Sequence, residues 1–271
     1  MVDMATIHPT AVVDTDVQLA EDVVIGPYCV VGKGVSIGPG TTLDARVVIT
    51  GNVTIGRENR LYPNSVIGCC PQVLGMDQNS KMGGVVIGDR NAIRENVTIH
   101  PSRHEGRLTR VGSDSLLMVG AHIGHDCLVE DRVVLSNYVQ IAGHVKIETG
   151  AWFSGLAASH QFVTIGRWAY IAGLAGLNRD VPPFLIVSGH YPPRVRGVNK
   201  RGLLRAGLSE QQQEHIYEAY RRIYRVGGPL LSNAEELARQ DGLDENVRAI
   251  VDAIFKSSQH KFGRYRESQR A

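Results

Sequence analysis

The chain has 271 residues, of which 43% are hydrophobic and 21% charged, and this balance excludes a wholly disordered protein. Its formal net charge of +2 is too small to indicate a nucleic-acid partner, and we expect none. Glycine is frequent, with 30 residues, whereas aromatic residues make up only 6%. This composition indicates repeated tight turns around a core of small aliphatic side chains.

The start of the chain and its cysteines bear on the cellular compartment. Residues 1–10 contain no basic flank followed by an apolar run, and no stretch of the sequence has the length and apolarity of a membrane span. The four cysteines have no C-x-x-C spacing, which favours reduced thiols over a disulfide framework. We therefore expect a cytoplasmic protein.

An aliphatic residue recurs at every sixth position from Ile7 to Ile67, and glycine often follows it. The pattern is lost at 68–86, resumes at Ile87 and continues to Leu177, with a polar loop at Ser102–Arg107 and a lapse at Ser159. A period of six fits neither a helix nor a long amphipathic strand. It predicts one short strand and one turn per hexad, with the aliphatic side chain pointing inward.

Three hexads would close one triangular coil of about eighteen residues, and stacked coils would pair as parallel strands. The repeat is long enough for about ten coils. We therefore predict a mainly β protein, in which residues 1–189 form a parallel β-helix and residues 190–271 form a small α-helical C-terminal domain.

The helical domain follows a proline-containing segment, Asp180–Phe184, which ends the repeat because proline donates no ladder hydrogen bond. Ser209 and Gln212 have the spacing of a capping box, which predicts a helix extending to about Tyr224. Shorter helices are predicted near 233–239 and 245–256.

The eighteen-residue coil predicts which residues stack. His125, Gly143 and Gln161 fall in one column, and Asp126 lies beneath His144. The corner should gather His122, His125, Asp126, Gly143, His144, His160 and Gln161. A carboxylate can hold a neighbouring histidine in one tautomer as a base, and a glycine can expose its N–H as an oxyanion donor. A single histidine at a turn is more often a solvated polar residue, but this cluster favours a catalytic site.

Seven motifs occur in one order and spacing along the chain: G-D-R-N-A-I-R-E-N-V-T-I-H (88–100), L-T-R-V-G (108–112), A-H-I-G-H-D-C (121–127), I-A-G-H-V (141–145), S-H-Q-F (159–162), R-D-V-P-P-F (179–184) and R-G-V-N (196–199). Over nearly its whole length the chain resembles the acyl-carrier-protein–UDP-N-acetylglucosamine O-acyltransferases of lipid A synthesis. The resemblance implies that the β-helix is left-handed, which the period alone does not predict.

The resemblance also implies the role of each site residue. His125 would be the general base that deprotonates the sugar 3-hydroxyl for attack on the thioester of a 3-hydroxyacyl carrier protein, with Asp126 as its orienting partner and Gly143 as the oxyanion donor. The residues expected to line the sugar and acyl site are His122, His144, His160 and Gln161, and those expected at the nucleotide phosphates are Asn199 and Arg205. The family implies a homotrimer with active sites between neighbouring prisms, and neither a metal nor another cofactor.

Two further features bear on substrate choice. The resemblance implies that Gly173 sets acyl length, because a glycine leaves room for a long 3-hydroxyacyl chain. A basic stretch that includes Arg221 and Arg222 is compatible with docking of an acidic acyl carrier protein, although a solvated helix face would have the same composition.

The chain departs from the family at the first loop, where Val73 and Gly75 replace an Asp and a Lys that contact the sugar nucleotide. Asp77 and Lys81 are candidate substitutes. A related acceptor, such as the 3-amino analogue with N-acylation, therefore remains an alternative. Two other classes stay open: a γ-type zinc carbonic anhydrase with ligands drawn from His100, His122, His125 and His144, and a non-catalytic scaffold.

Overall fold

A computed structural model of the protein describes residues 5–77 and 79–269. The outer ends of the two expected domains, residues 1 and 271, lie outside this range. The strands of the described chain are β1 (Thr6–Ile7), β2 (Val12–Val13), β3 (Gln18–Leu19), β4 (Val24–Ile25), β5 (Val30–Val31), β6 (Val35–Ile37), β7 (Thr42–Leu43), β8 (Val48–Ile49), β9 (Val53–Ile55), β10 (Arg60–Leu61), β11 (Val66–Ile67), β12 (Gly84–Ile87), β13 (Ala92–Ile93), β14 (Thr98–Ile99), β15 (Leu108–Val111), β16 (Leu116–Leu117), β17 (His122–Ile123), β18 (Leu128–Val129), β19 (Val134–Leu135), β20 (Gln140–Ile141), β21 (Lys146–Ile147), β22 (Trp152–Phe153), β23 (Ala158–Ser159), β24 (Thr164–Ile165), β25 (Tyr170–Ile171), β26 (Gly176–Leu177), β27 (Leu185–Ser188) and β28 (Arg194–Val198).

These strands form three sheets, each built from every third strand. The first sheet has the order β1-β4-β7-β10-β13-β16-β19-β22-β25-β27-β28, the second β2-β5-β8-β11-β14-β17-β20-β23-β26, and the third β3-β6-β9-β12-β15-β18-β21-β24. All neighbours are parallel except β27 and β28. The predicted parallel β-helix, with one strand of each sheet per coil, is therefore confirmed.

The register follows the predicted step of eighteen residues, so that Ile123 lies opposite Ile141. Two loops interrupt it. Val53 lies opposite Val85, and Ile99 lies opposite Ile123, because the segments between those strands leave the coil and return to it. Both loops leave from the corner at which the chain passes from the second sheet to the third.

The interior of the prism is a continuous column of aliphatic side chains. Ile49, Leu61, Ile67 and Ile123 are each fully buried, as the hexad pattern predicts. Burying one such side chain contributes about 1.5–3 kcal/mol. Repetition of this small contribution along the prism supplies a rigid support for the turns.

The C-terminal helices are α1 (Lys200–Arg205), α2 (Glu210–Tyr224), α3 (Leu230–Ala238) and α4 (Glu245–Ser258), followed by a 3-10 helix, Tyr265–Gln269. The capping box of α2 is present as predicted: Ser209 Oγ accepts from Gln212 N–H, and the Gln212 side chain accepts from Ser209 N–H. Within the described residues, no helix has the combined length and apolarity needed to cross a membrane.

The helical region is joined closely to the end of the prism. β28 lies beyond the predicted boundary at residue 189 but pairs with β27 in the first sheet, and the core of the helices includes Trp168 and Phe184 from the prism. The 3-10 helix returns to the coils, where Tyr265 N–H donates to Asp180 at 2.9 Å and Arg266 Nε donates to the His144 carbonyl at 3.3 Å.

Candidate active site

The corner between the second and third sheets carries the predicted cluster. In successive coils the third residue of this turn is Asp126, His144 and Phe162, with φ of 61°, 63° and 65°. Left-handed backbone is uncommon for residues other than glycine. Here it turns the chain sharply after each strand and stacks the three side chains along the prism.

His125 and Asp126 form the central pair of this corner. His125 Nδ1 lies 2.8 Å from Asp126 Oδ2, and both side chains are largely buried. An ionised carboxylate only accepts hydrogen bonds, so Nδ1 carries the hydrogen. In the neutral imidazole this leaves Nε2 unprotonated. The arrangement is that of a histidine held ready to accept a proton.

The Asp126 carboxylate has several further hydrogen-bond donors. Ser102 Oγ–H donates to Oδ1, and Arg103 N–H donates to Oδ2 at 3.2 Å. Burial alone would raise the pKa of Asp126, but the hydrogen bonds from His125, Ser102 and Arg103 outweigh it and hold that pKa well below its usual range. Asp126 is therefore ionised at neutral pH and fixes the His125 tautomer.

The backbone of Asp126 is fixed as well, because its N–H donates to Thr109 Oγ at 2.8 Å and the Thr109 side chain is fully buried. Sequence reasoning missed Thr109, Ser102 and the Arg103 amide. The one signal available was the polar loop 102–107, which leaves the coil at this corner.

Gly143 lies against the His125 ring, as the predicted column requires. A Cβ built on Gly143 would be 2.5 Å from His125 Cε1 and 2.6 Å from Nε2. Within the described part of the chain, the Gly143 N–H has no hydrogen-bond acceptor. A glycine is thus required for the ring to occupy this position, and its amide is available to a ligand beside Nε2.

His144 completes the corner one coil further along. Its ring stacks on Phe162, with centroids 4.5 Å apart, and meets the His125 ring edge-on at 4.9 Å. Burial, the largest influence, lowers the pKa of His144 to about 4, although the Asp126 carboxylate acts in the opposite direction. His144 is therefore neutral at pH 7. Phe162 was not predicted as a site residue.

His122 lies on the other side of His125, on β17. Its Nδ1 is 2.8 Å from the hydroxyl of Thr98, and its ring is 5.3 Å from that of His100. Burial, followed by the neighbouring His100 and His125, lowers the pKa of His122 to about 4. His100 Nδ1 is 2.9 Å from the Cys69 carbonyl, which connects this side of the site to the first loop.

The possible metal-ligand atoms are not arranged as the zinc carbonic anhydrase alternative requires. His125, Asp126 and His144 offer ligand atoms within 4.8 Å of one another, whereas His100 and His122 form a separate pair. The Asp126 carboxylate in this set is already satisfied by hydrogen bonds from the protein. This arrangement favours an oriented histidine base over a zinc centre built from the histidines alone.

Two other cluster members lie apart from the central pair. His160 and Gln161 are exposed, and His160 Nδ1 lies 3.1 Å from the Gln161 carbonyl oxygen. Cys127 is buried, its thiol donates to the Ala142 carbonyl, and burial raises its pKa to about 12. Cys127 is therefore a core residue and no nucleophile.

Comparison with known proteins shows the family of the chain. The family model described as UDP N-acetylglucosamine O-acyltransferase, domain 2, matches residues 180–262, and the bacterial transferase hexapeptide model matches residues 34–69. A protein of Synechocystis sp. named acyl-[acyl-carrier-protein]–UDP-N-acetylglucosamine O-acyltransferase is 45% identical over 193 residues, covering 71% of this chain and 69% of that protein. This chain belongs to the same family.

Solved structures of the UDP-N-acetylglucosamine acyltransferase family are similar over almost the whole chain. The Francisella novicida enzyme has 36% identity and a TM-score of 0.86, and the match covers 92% of this chain and 91% of that one. The Bacteroides fragilis protein has 32% identity and a TM-score of 0.86, covering 92% and 97%. The predicted acyltransferase class and fold are confirmed at the level of this family.

The remaining residues implied by the family lie elsewhere on the chain. Gly173 is exposed at the corner between the first and second sheets. Arg205 lies over the Trp152 ring at 4.6 Å, beside a groove of about 840 Å³ on the outer face of the first sheet. A single chain therefore does not bring Gly173 or Arg205 to the corner of His125.

Asn199 has a structural function in this chain. Its side chain is buried, accepts a hydrogen bond from Gly202 N–H as the N-cap of α1, and donates to the Trp168 carbonyl at 2.8 Å. Contact of Asn199 with nucleotide phosphates stays a prediction. Its observed contacts place α1, and with it Arg205, beside the groove.

Proposed function

We propose that this chain transfers a 3-hydroxyacyl group from acyl carrier protein to the 3-position of UDP-N-acetylglucosamine, the first step of lipid A biosynthesis, with His125 as general base. The observation that carries the proposal is the 2.8 Å contact of His125 Nδ1 with Asp126. In the neutral ring it leaves Nε2 unprotonated, and the nearby Gly143 amide has no acceptor among the described residues. A base and an oxyanion donor at one point are what acyl transfer requires.

The proposed reaction conserves every proton. His125 Nε2 takes the proton of the sugar 3-hydroxyl as its oxygen attacks the thioester carbon. Asp126 stabilises the imidazolium that forms, and the Gly143 N–H donates to the oxyanion of the tetrahedral intermediate. The intermediate then collapses, the carbon–sulfur bond breaks, and the imidazolium returns the proton to the departing thiolate. The products are the sugar ester and free carrier thiol.

The acceptor is tested by direct competition, because the first loop departs from the family. In this chain Gly75 is exposed, Lys81 pairs with Glu105 at 3.8 Å, and Asp77 accepts hydrogen bonds from its own turn. We expect a higher kcat/KM with UDP-N-acetylglucosamine than with its 3-amino analogue, using one 3-hydroxyacyl carrier protein. The opposite order would establish the N-acylation alternative. Activity with neither would refute the proposed function.

We propose a homotrimer in which neighbouring prisms share each active site. The proposal is supported by the separation of His125 and Gly173 on different corners of one prism, because a cleft between two copies can combine both corners. Sedimentation equilibrium of the purified protein is expected to give the mass of three chains. A monomer with full activity would contradict the shared cleft.

The cytoplasm is the proposed compartment of this reaction. Cys29 and Cys127 are buried and unpaired, and Cys69 and Cys70 are free as well. Four reduced thiols fit a reducing compartment. Detection of the native protein in an oxidising compartment would contradict this assignment.

Gly173 is proposed to admit a long acyl chain. Its φ lies outside the left-handed region, and a Cβ would meet only the Gly155 carbonyl oxygen at 3.4 Å and Ser154 Cβ at 3.9 Å. The turn itself therefore tolerates a side chain. We expect Gly173→Met to shift the preference towards shorter 3-hydroxyacyl chains while preserving transfer. A panel of acyl chain lengths measures this, and a uniform loss across all lengths would show that Gly173 serves only the turn.

A further inference from the structure

A second, strongly basic pocket adjoins the His125 corner on the side of His144. It has a volume of about 450 Å³ and is lined by Arg103, His104, Arg107, His144, Phe162, Arg266 and Gln269. The lining contains three guanidinium groups and no carboxylate. The loop 102–107 contributes one wall, and the C-terminal 3-10 helix contributes the opposite wall.

The three arginines of this pocket have no carboxylate ion-pair partner within the described chain. Across the described chain, none of Arg103, Arg107 and Arg266 forms an ion pair. Arg266 donates from Nε to the His144 carbonyl, which fixes its stem, and its charge also partly offsets the burial that raises the pKa of the Asp180 carboxyl. Other surface arginines of the chain, such as Arg90 with Asp114 at 2.7 Å, do have a carboxylate partner. Guanidinium groups that line one pocket and form no ion pair within the described chain are typical of a site for a phosphate group.

The pocket touches the reacting groups through one residue. The His144 ring contacts His125 at 4.9 Å and lies 6.4 Å from His104. An anion bound among the arginines would therefore lie one side chain away from the proposed base. A charged group carried by one of the two substrates is a chemically suitable occupant of such a site.

Both substrates of the proposed reaction carry phosphate esters. The acceptor has a diphosphate next to its sugar, and the donor has a phosphodiester that joins the pantetheine arm to a serine of the carrier protein. The acceptor sugar is expected on the His122 side, where His100 connects to the first loop. The arginine pocket lies on the opposite side of His125, which leaves it for the donor.

We propose that Arg103, Arg107 and Arg266 form a phosphate-ester subsite that binds the phosphate of the donor's phosphopantetheine arm. This inference rests on the proposed function for the identity of the donor. The phosphate anchors one end of the arm, so that the thioester at the other end is held beside His125 and Gly143. Binding energy from a group remote from the reacting bond then lowers the barrier to acyl transfer.

The test uses two small donors that carry the same 3-hydroxyacyl chain: acyl-phosphopantetheine and acyl-pantetheine. The wild-type enzyme should prefer the phosphorylated donor by roughly ten-fold or more in kcat/KM, the size of a charge-assisted hydrogen bond. The single variants Arg107→Gln and Arg103→Gln should each bring the kcat/KM ratio of the two donors towards one. Arg110→Gln is the matched control, since Arg110 is exposed on the same coil but outside the pocket, and it should leave the ratio unchanged.

Two further measurements separate the outcomes. If the variants raise KM for UDP-N-acetylglucosamine and leave the donor ratio intact, the acceptor diphosphate occupies the pocket and the donor assignment is overturned. Calorimetric titration with phosphopantetheine and with pantetheine needs no turnover, so it tests the pocket even if the proposed reaction fails. Equal affinity of the wild-type protein for the two compounds would overturn the subsite. Arg107 is exposed, so its variant is expected to fold.

Discussion

Replacing His125 with alanine is expected to lower kcat by about 10²–10⁴, the contribution of a positioned general base, while the protein keeps its fold and oligomeric state. Among the described residues the side chain makes one hydrogen bond, to Asp126, and it is not part of the aliphatic column of the prism. Its loss should therefore affect the reaction far more than stability. The measurements are steady-state transfer from 3-hydroxyacyl carrier protein and the thermal unfolding midpoint.

The matched control is His8→Ala, which removes an exposed histidine at the first coil. Its kcat should equal that of the wild type. Asp126→Asn provides a second comparison, because an amide donates as well as accepts and would no longer hold the hydrogen on His125 Nδ1. It should lower kcat with little effect on the acceptor KM. If His125→Ala retained more than about a tenth of the turnover, the base assignment would be wrong.

The pH dependence tests whether His122 or His144 titrates during catalysis. His122 and His144 have pKa values of about 4, in both cases chiefly because of burial. They are neutral above about pH 5, and neither changes charge through the neutral range. An acid limb of kcat/KM in that range should therefore persist in His122→Ala and His144→Ala. Its disappearance from either variant would assign the titration to that residue.

The fold could be predicted from sequence because every hexad repeats the same physical requirement. One aliphatic side chain must fill the same interior position in each strand, so the period alone gives strands, turns and coil length. The step of eighteen residues then places Ile123 opposite Ile141 and Gly143 against His125, and both placements are observed. The same step pairs His144 with Phe162, so the stacking partner was within reach of sequence reasoning.

The contacts of Asp126 could not be predicted in this way. Ser102 and Arg103 lie in a loop that leaves the coil, where the eighteen-residue step no longer applies. Which side chains of this loop return to the corner depends on its three-dimensional path. Thr109 follows that loop, and its contact with the Asp126 amide depends on how the loop re-enters the third sheet. Loops that interrupt a solenoid thus carry site residues that the repeat does not locate.

The structure shows local partners for two sets of residues that composition and resemblance had linked to ligands. Arg221 pairs with Glu214 at 2.7 Å and Arg222 with Glu236 at 3.6 Å, which accounts for these charges within the helical region. The Asn199 amide caps α1, since a buried polar side chain requires partners. In both cases residue type alone was compatible with a ligand contact, and both ligand contacts stay predictions beside these local partners.

Gly143→Ala is expected to lower kcat by about 10²-fold or more, although the methyl group is small and the backbone accepts it. The φ of Gly143 lies outside the left-handed region, so alanine is not strained there. The new Cβ would, however, stand 2.5 Å from His125 Cε1, 2.6 Å from Nε2 and 3.0 Å from Nδ1. The ring must move, and a displacement of about 1 Å of a catalytic group can cost about 10² in rate.

The control is Gly32→Ala, at the same corner in an early coil, where the nearest atom to the new Cβ is 3.5 Å away on Thr50. Its kcat should be unchanged. A double-mutant cycle then isolates the cause: overpacking by Gly143→Ala should destabilise the wild type by about 1–3 kcal/mol, but should cost little in the His125→Ala background, where no ring remains to collide with. The free energy of unfolding of the four proteins measures this coupling. Equal destabilisation in both backgrounds would show that Gly143 and the His125 ring do not share the site as described, and the lost activity would then need another origin.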